Sequence, residues 1–198
     1  MNRFIRTFVP AVAALAILAT SPASATTVKQ MTLRDLAKHS NAIVLAQVED
    51  ASARYESNKE IYTYVTLRVL EPVKGPKADA IITIRQLGGV VGDIASVVPG
   101  TPTFRKGEEV VVFLTKNDAS GHPWVMGLQQ GKYTVSADEK GRKSVRNEID
   151  GLTLLRPDGK TSEETSSKAQ PLQAFLDGLR TQLDEAGKVQ VDPTVPTE

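Results

Sequence analysis

Apolar and polar positions alternate with a period of two through most of the middle of this chain. The strongest run is residues 61–70, where Ile61, Val65, Leu67 and Val69 share one face with Thr63 while Tyr62, Tyr64, Thr66 and Arg68 share the other. That split predicts a long, half-buried strand. Residues 42–48 are almost wholly apolar and predict a strand buried on both faces, followed by a polar, turn-rich stretch at 49–60. Lys74, Gly75 and Pro76 turn the chain, and residues 80–86 return it as an antiparallel neighbour. Further strands are predicted at 108–114, at 124–129 with 132–137, and at 143–146 as a last edge.

Helical periodicity is confined to the two ends of this pattern. Thr32 is placed to cap a short helix with Asp35 three residues on, and Leu33, Leu36 and Ala37 give it one apolar face before Ser40 and Asn41 end it. Residues 151–170 are rich in Ser, Thr, Asp, Gly and Lys and predict a polar linker. Pro171 then opens a helix over 171–187, with Leu172, Phe175, Leu176, Leu179 and Leu183 as an apolar stripe directed at the β-domain. Gly187 is its expected end and 188–198 an expected disordered tail. Short strands separated by turn signals about every ten residues predict a mainly β domain over residues 26–150, an antiparallel sandwich or barrel.

Residues 88–107 break the alternation. Seven of their positions are Gly or Pro, namely Gly88, Gly89, Gly92, Pro99, Gly100, Pro102 and Gly107, which predicts a long irregular connection with one short strand at 94–98. Connections of this length inside a compact domain are more often functional than short turns are. This one is the first candidate for an interaction surface.

The opening residues change the setting of the whole chain. Arg3 and Arg6 precede an apolar run at 8–19, and Ala23, Ser24 and Ala25 form a small-residue cleavage site, so residues 1–25 read as a secretory signal peptide. The apolar run is shorter than the roughly 20 residues that span a bilayer, and Pro10 interrupts it. The mature protein is therefore expected in the periplasm or medium, beginning at Thr26 and without a stable membrane anchor. Removing 25 of the 198 residues leaves 173, and losing two of 24 basic residues leaves 22 against 23 acidic, a net charge of −1. Near-neutrality points away from nucleic acid. The chain has no cysteine, which excludes disulfides, a thiolate metal site and a thiol nucleophile.

Candidate chemistry is sparse. The two histidines, His39 and His122, lie far apart in sequence with no HxH or HxxxH spacing, so no metal site is expected. No serine sits in a G-x-S-x-G or S-x-x-K setting. Glu108 and Glu109 are strand neighbours that point to opposite faces and cannot serve one substrate together. Neither a catalytic group nor a cofactor is assigned. Candidate partner-binding residues are Tyr62 and Tyr64, expected on the solvent side of their strand, with Gly88, Gly89, Phe104 and Arg105 of the long connection.

The order of a short helix, Ser40 through Val48, a Tyr-rich strand ending Val73-Lys74-Gly75, Ile82 through Gly89, and Phe104 through Leu114 resembles a family of uncharacterised exported bacterial proteins. It is also remotely similar to the OB-type barrels of netrin-like and metalloprotease-inhibitor domains. The resemblance implies an OB-like barrel of five to seven antiparallel strands that binds through its loops and exposed strand face. Those inhibitors reach the protease zinc with an N-terminal cysteine that this chain lacks, so their mechanism does not carry over. The expected function is an exported, non-catalytic module acting on a protein partner, an exported protease among the candidates. A carboxylate-based extracytoplasmic enzyme and an envelope-assembly protein are the alternatives.

Overall fold

The computed structural model describes residues 27–149, 152–163 and 166–189. The expected signal peptide and residues 190–198 of the expected tail lie outside the described residues. In chain order the elements are β1 (Thr27–Lys29), α1 (Leu33–His39), β2 (Ala42–Tyr55), β3 (Ile61–Lys74), β4 (Ile81–Leu87), β5 (Gly89–Val91) and β6 (Ile94–Ser96). They continue with β7 (Glu109–Leu114), a 3₁₀ turn (Leu128–Gly131), β8 (Lys132–Ala137), β9 (Lys143–Asn147), β10 (Thr153–Leu155), β11 (Thr161–Glu163), β12 (Gln170–Pro171) and α2 (Leu172–Val189). The fold is mainly β and antiparallel with a helix near each end, as the alternation predicts.

A seven-stranded sheet in the order β12-β9-β8-β7-β2-β3-β4 organises the molecule. Its interior strand β2 is buried on both faces for the reason its sequence gives. Ala42, Val44, Ala46 and Val48 pack with Val65, Leu67, Val69, Ile84, Val110 and Val112 on one side. Ile43 and Leu45 pack with Val111, Phe113 and the helices on the other. The α2 stripe supplies Leu172, Phe175, Leu176 and Leu179 to this second face, all buried. Thr32 and Asp35 close a reciprocal capping box at the start of α1, the Asp35 amide donating to Thr32 Oγ1 at 3.1 Å and the Thr32 amide to Asp35 Oδ2 at 3.0 Å.

The edge strand β4 and the interior strand β7 are bridged by residues 122–126. Thr115 N–H donates to the Trp124 carbonyl (2.9 Å), Met126 N–H to the Phe113 carbonyl (2.8 Å) and, across the gap, Arg85 N–H to the Pro123 carbonyl (3.1 Å). The first apolar cluster is thereby enclosed between β2, β3, β4, this segment and β7.

Several boundaries differ from expectation. The turn-rich stretch at 49–60 is strand as far as Tyr55, because its backbone pairs continuously with β3 once the register shifts between Val48 and Asp50. Residues 124–129 hold an isolated bridge at Val125 and a 3₁₀ turn rather than a strand, since Gly127 and Leu128 adopt positive φ of 68° and 59°. A side chain at Gly131 would meet the Met126 carbonyl, so the turn closes only over glycine. β9 is flanked by β12 and is not the sheet edge. Residues 153–155 and 161–163, inside the expected linker, form strands that join β1 in a three-stranded sheet. There Leu152 and Leu154 pack with Ile149 and Val28, an apolar face hidden in the Ser/Thr-rich composition. Finally, α2 continues past Gly187 to Val189.

Candidate functional site

The long connection at 88–107 does not wander over the surface but builds two walls of a groove of about 420 Å³. Its floor comes from the inner face of the sheet, where Ala53, Thr63 and Gln86 are successive partners across β2, β3 and β4. Ala51 and Ala53 are too small to fill the space above them. One wall is the hairpin β5–β6 with Val97 and Val98; the other runs from Thr101 to Phe104. The volume falls in the range of small-ligand clefts, about 300–1,000 Å³.

Local chemistry fixes each wall. The hairpin is rooted where Gly88 N–H donates to the Ile61 carbonyl (2.8 Å) and Thr63 Oγ1 donates to the Gly88 carbonyl (2.7 Å). Gly89, at φ 140°, lies so close to Thr63 Oγ1 and Ala53 that a side chain there would collide with both. Opposite, Lys132 Nζ donates to the Thr103 carbonyl (2.6 Å) and to Glu108 Oε1 (2.7 Å) and lies 4.9 Å from the Phe104 ring centroid. Glu108 Oε2 accepts from Arg105 N–H at 3.0 Å, tying off the turn that follows.

Of the candidate residues, Gly88, Gly89 and Phe104 line this one groove. Arg105 is exposed just beyond the Phe104 wall and does not line the groove.

Tyr62 and Tyr64 behave otherwise. They do occupy the outer face of β3, but that face is covered, and both rings are buried at 7% and 9% exposure. Arg85 lies 3.6 Å above the Tyr62 centroid and Arg54 3.8 Å above Tyr64. The Trp124 ring meets Tyr62 edge-on at 6.2 Å, and His122 meets Tyr64 at 5.3 Å. Arg85 forks onto Glu56 through Nη2 (2.6 Å) and Nε (3.2 Å) and reaches Asp118 Oδ2 through Nη1 (3.1 Å). Asp118 also accepts from the Trp124 indole at 2.7 Å, and Tyr64 hydroxyl donates to Glu56.

Burial opposes ionisation of Asp118, yet hydrogen bonds from Ser120, Trp124 and the His122 and Ser120 amides outweigh it and hold the carboxyl well below the usual range. The Tyr64 hydroxyl first and Arg85 second lower Glu56. Arg85, both carboxylates and both tyrosines are partnered within the cluster, which clasps the β2–β3 turn and the 115–124 segment to the sheet. Sequence reasoning missed Arg85; its only signal was a charge within the returning strand.

The remaining charged candidates are also engaged. Glu109 binds Lys143 (2.6 Å) on the face opposite the Glu108–Lys132 pair. Nδ1 of His39 lies 2.8 Å from the Asp35 carbonyl oxygen on α1. Among the described residues no three His, Asp or Glu side chains converge in a way that could hold a metal ion. Compared with family models, curated proteins and solved structures, the chain matches none.

Proposed function

We propose that this is an exported, non-catalytic binding module that receives an extended segment of a protein partner in the groove built by residues 88–107. An exported protease remains one candidate partner. The observation that carries this reading is the hairpin wall. β5 and β6 form a two-stranded sheet of their own, so among the described residues the outer edge of β6 has no strand beside it. Near it, Val90 of β5, Ile94 of β6 and Val97 just past β6 are exposed at 65%, 56% and 84%. An unpaired edge next to apolar side chains is the template on which an extended peptide adds as a further strand, backbone hydrogen bonds giving affinity and side-chain pockets giving selectivity. The resemblance to OB-type inhibitor barrels, which also bind through loops, supports the same reading, as does the signal-peptide pattern that places the chain among exported partners.

Phage-displayed random peptides selected on the immobilised protein test it. Enrichment is expected on the wild type and a loss of at least about tenfold on a Val90→Asp, Val97→Asp double variant, one decade corresponding to about 1.4 kcal/mol. Equal enrichment on both proteins would sink the assignment.

A further inference from the structure

Gln86 is a buried polar residue bordering the first apolar cluster. It sits on the inner face of β4, two residues from the fully buried Ile84, and is only 4% exposed. Its side chain lines the groove floor, and its carboxamide makes no hydrogen bond within the described residues. The carboxamide atoms are not sealed inside the fold but open onto the groove, where an incoming ligand can reach them. On the other lip, Arg105 and Lys106 follow the Phe104 wall, exposed and without an ion-pair partner among the described residues.

We infer that Gln86 is the recognition residue of the groove, pairing with the backbone N–H and C=O of one residue in an extended, acidic-flanked peptide. The inference rests on the peptide-binding reading above. A glutamine carboxamide presents a donor and an acceptor side by side. In an extended strand the N–H and C=O of a single residue point to the same side, so one glutamine satisfies both and is satisfied by both. The floor of Ala51, Ala53 and Thr63 leaves room for a small apolar side chain at that residue. Arg105 and Lys106 complement a carboxylate at the flank.

Two synthetic pools of N-acetylated, C-amidated hexapeptides provide the probe. Each has four central positions drawn from Ala, Val, Thr and Ser, with Glu at both ends in one pool and Lys at both ends in the other. Retention on the purified protein is read by mass spectrometry, and the best peptide is resynthesised with single N-methyl substitutions. The acidic pool should be retained at least about tenfold over the basic one. The best peptide should weaken about tenfold with Gln86→Met, by about the same with one central N-methyl group, and by no more when the two are combined.

Gln86→Met should melt close to the wild-type midpoint, because the amide makes no hydrogen bond within the described residues and faces the groove. A lower midpoint would show that the amide is partnered in the fold and would overturn the inference. Equal binding of the selected peptide to wild type and Gln86→Met, or N-methyl effects that add to it, would overturn the role of Gln86 and leave the binding module standing. Retention of the basic pool would overturn the acidic preference. Retention of neither pool would remove the peptide-binding reading itself. Gln86→Glu, which keeps the length and acceptor but loses the donor, repeats the cycle should Gln86→Met fold poorly, and undiminished binding by it would likewise overturn the role of Gln86.

Discussion

Arg85 and Gln86 are adjacent on β4 and leave it on opposite faces, and their surroundings separate a structural residue from a binding one. Each guanidinium nitrogen of Arg85 is engaged, with Glu56 and Asp118, and the group lies over the Tyr62 and Trp124 rings. Its side chain is 11% exposed, so Arg85→Ala leaves two carboxylates facing a half-buried void. The variant is expected to unfold at lower urea than the wild type at pH 7, because both carboxylates lose their counter-charge. The pH dependence follows from the carboxylates. Glu56 and Asp118 are held low in the folded state, so the stability they contribute is present above the unfolded carboxylate value of about 4 and drains away as pH falls below it. Urea midpoints at pH 7 and pH 3 should therefore differ less in Arg85→Ala than in the wild type. An unchanged difference would mean that Arg85 contributes nothing to the low carboxyl values.

Among the elements, the clearest contrast is between α2 and the β5–β6 hairpin. α2 buries Phe175, Leu176 and Leu179 against the sheet, and Leu176→Ala should cost about 3 kcal/mol by leaving a cavity where a fully buried side chain was. The hairpin has three-residue strands and exposed valines, and an isolated two-stranded ribbon is marginal in water. Its amides at 89–96 should exchange with solvent faster than those of β2, β3 and β7, and slow when peptide is bound. Periodicity made the strong elements legible: the two-faced run at 42–48, the alternation at 61–70 and the helical stripe at 172–183 all form where the pattern put them. Composition misled where a few apolar residues lay among many polar ones, as with Leu152 and Leu154 in the expected linker. The strand face of Tyr62 and Tyr64 was legible too, but not its burial, because the cover comes from Trp124 and His122, some sixty residues away in sequence.

Across the whole molecule, a double-faced sheet holds a groove at one end of its enclosed core, and the glycine-rich connection that closes the groove was visible as a break in the strand pattern. What the sequence could not reveal was its floor, because Ala53, Thr63 and Gln86 meet only through strand register. The proposed export makes a separate prediction: the protein recovered from periplasm or medium should begin at Thr26, as read by N-terminal mass spectrometry, and a retained leader would contradict the expected cleavage. The central claim is that partner segments dock in the groove. Amide and side-chain NMR shifts on titrating the best-retained hexapeptide test it most directly. The account predicts perturbations concentrated at residues 51–53, 63 and 86–104, with the Gln86 side-chain NH₂ among the largest. Perturbations centred on the Arg85–Trp124 cluster or on α2, with the groove silent, would contradict it.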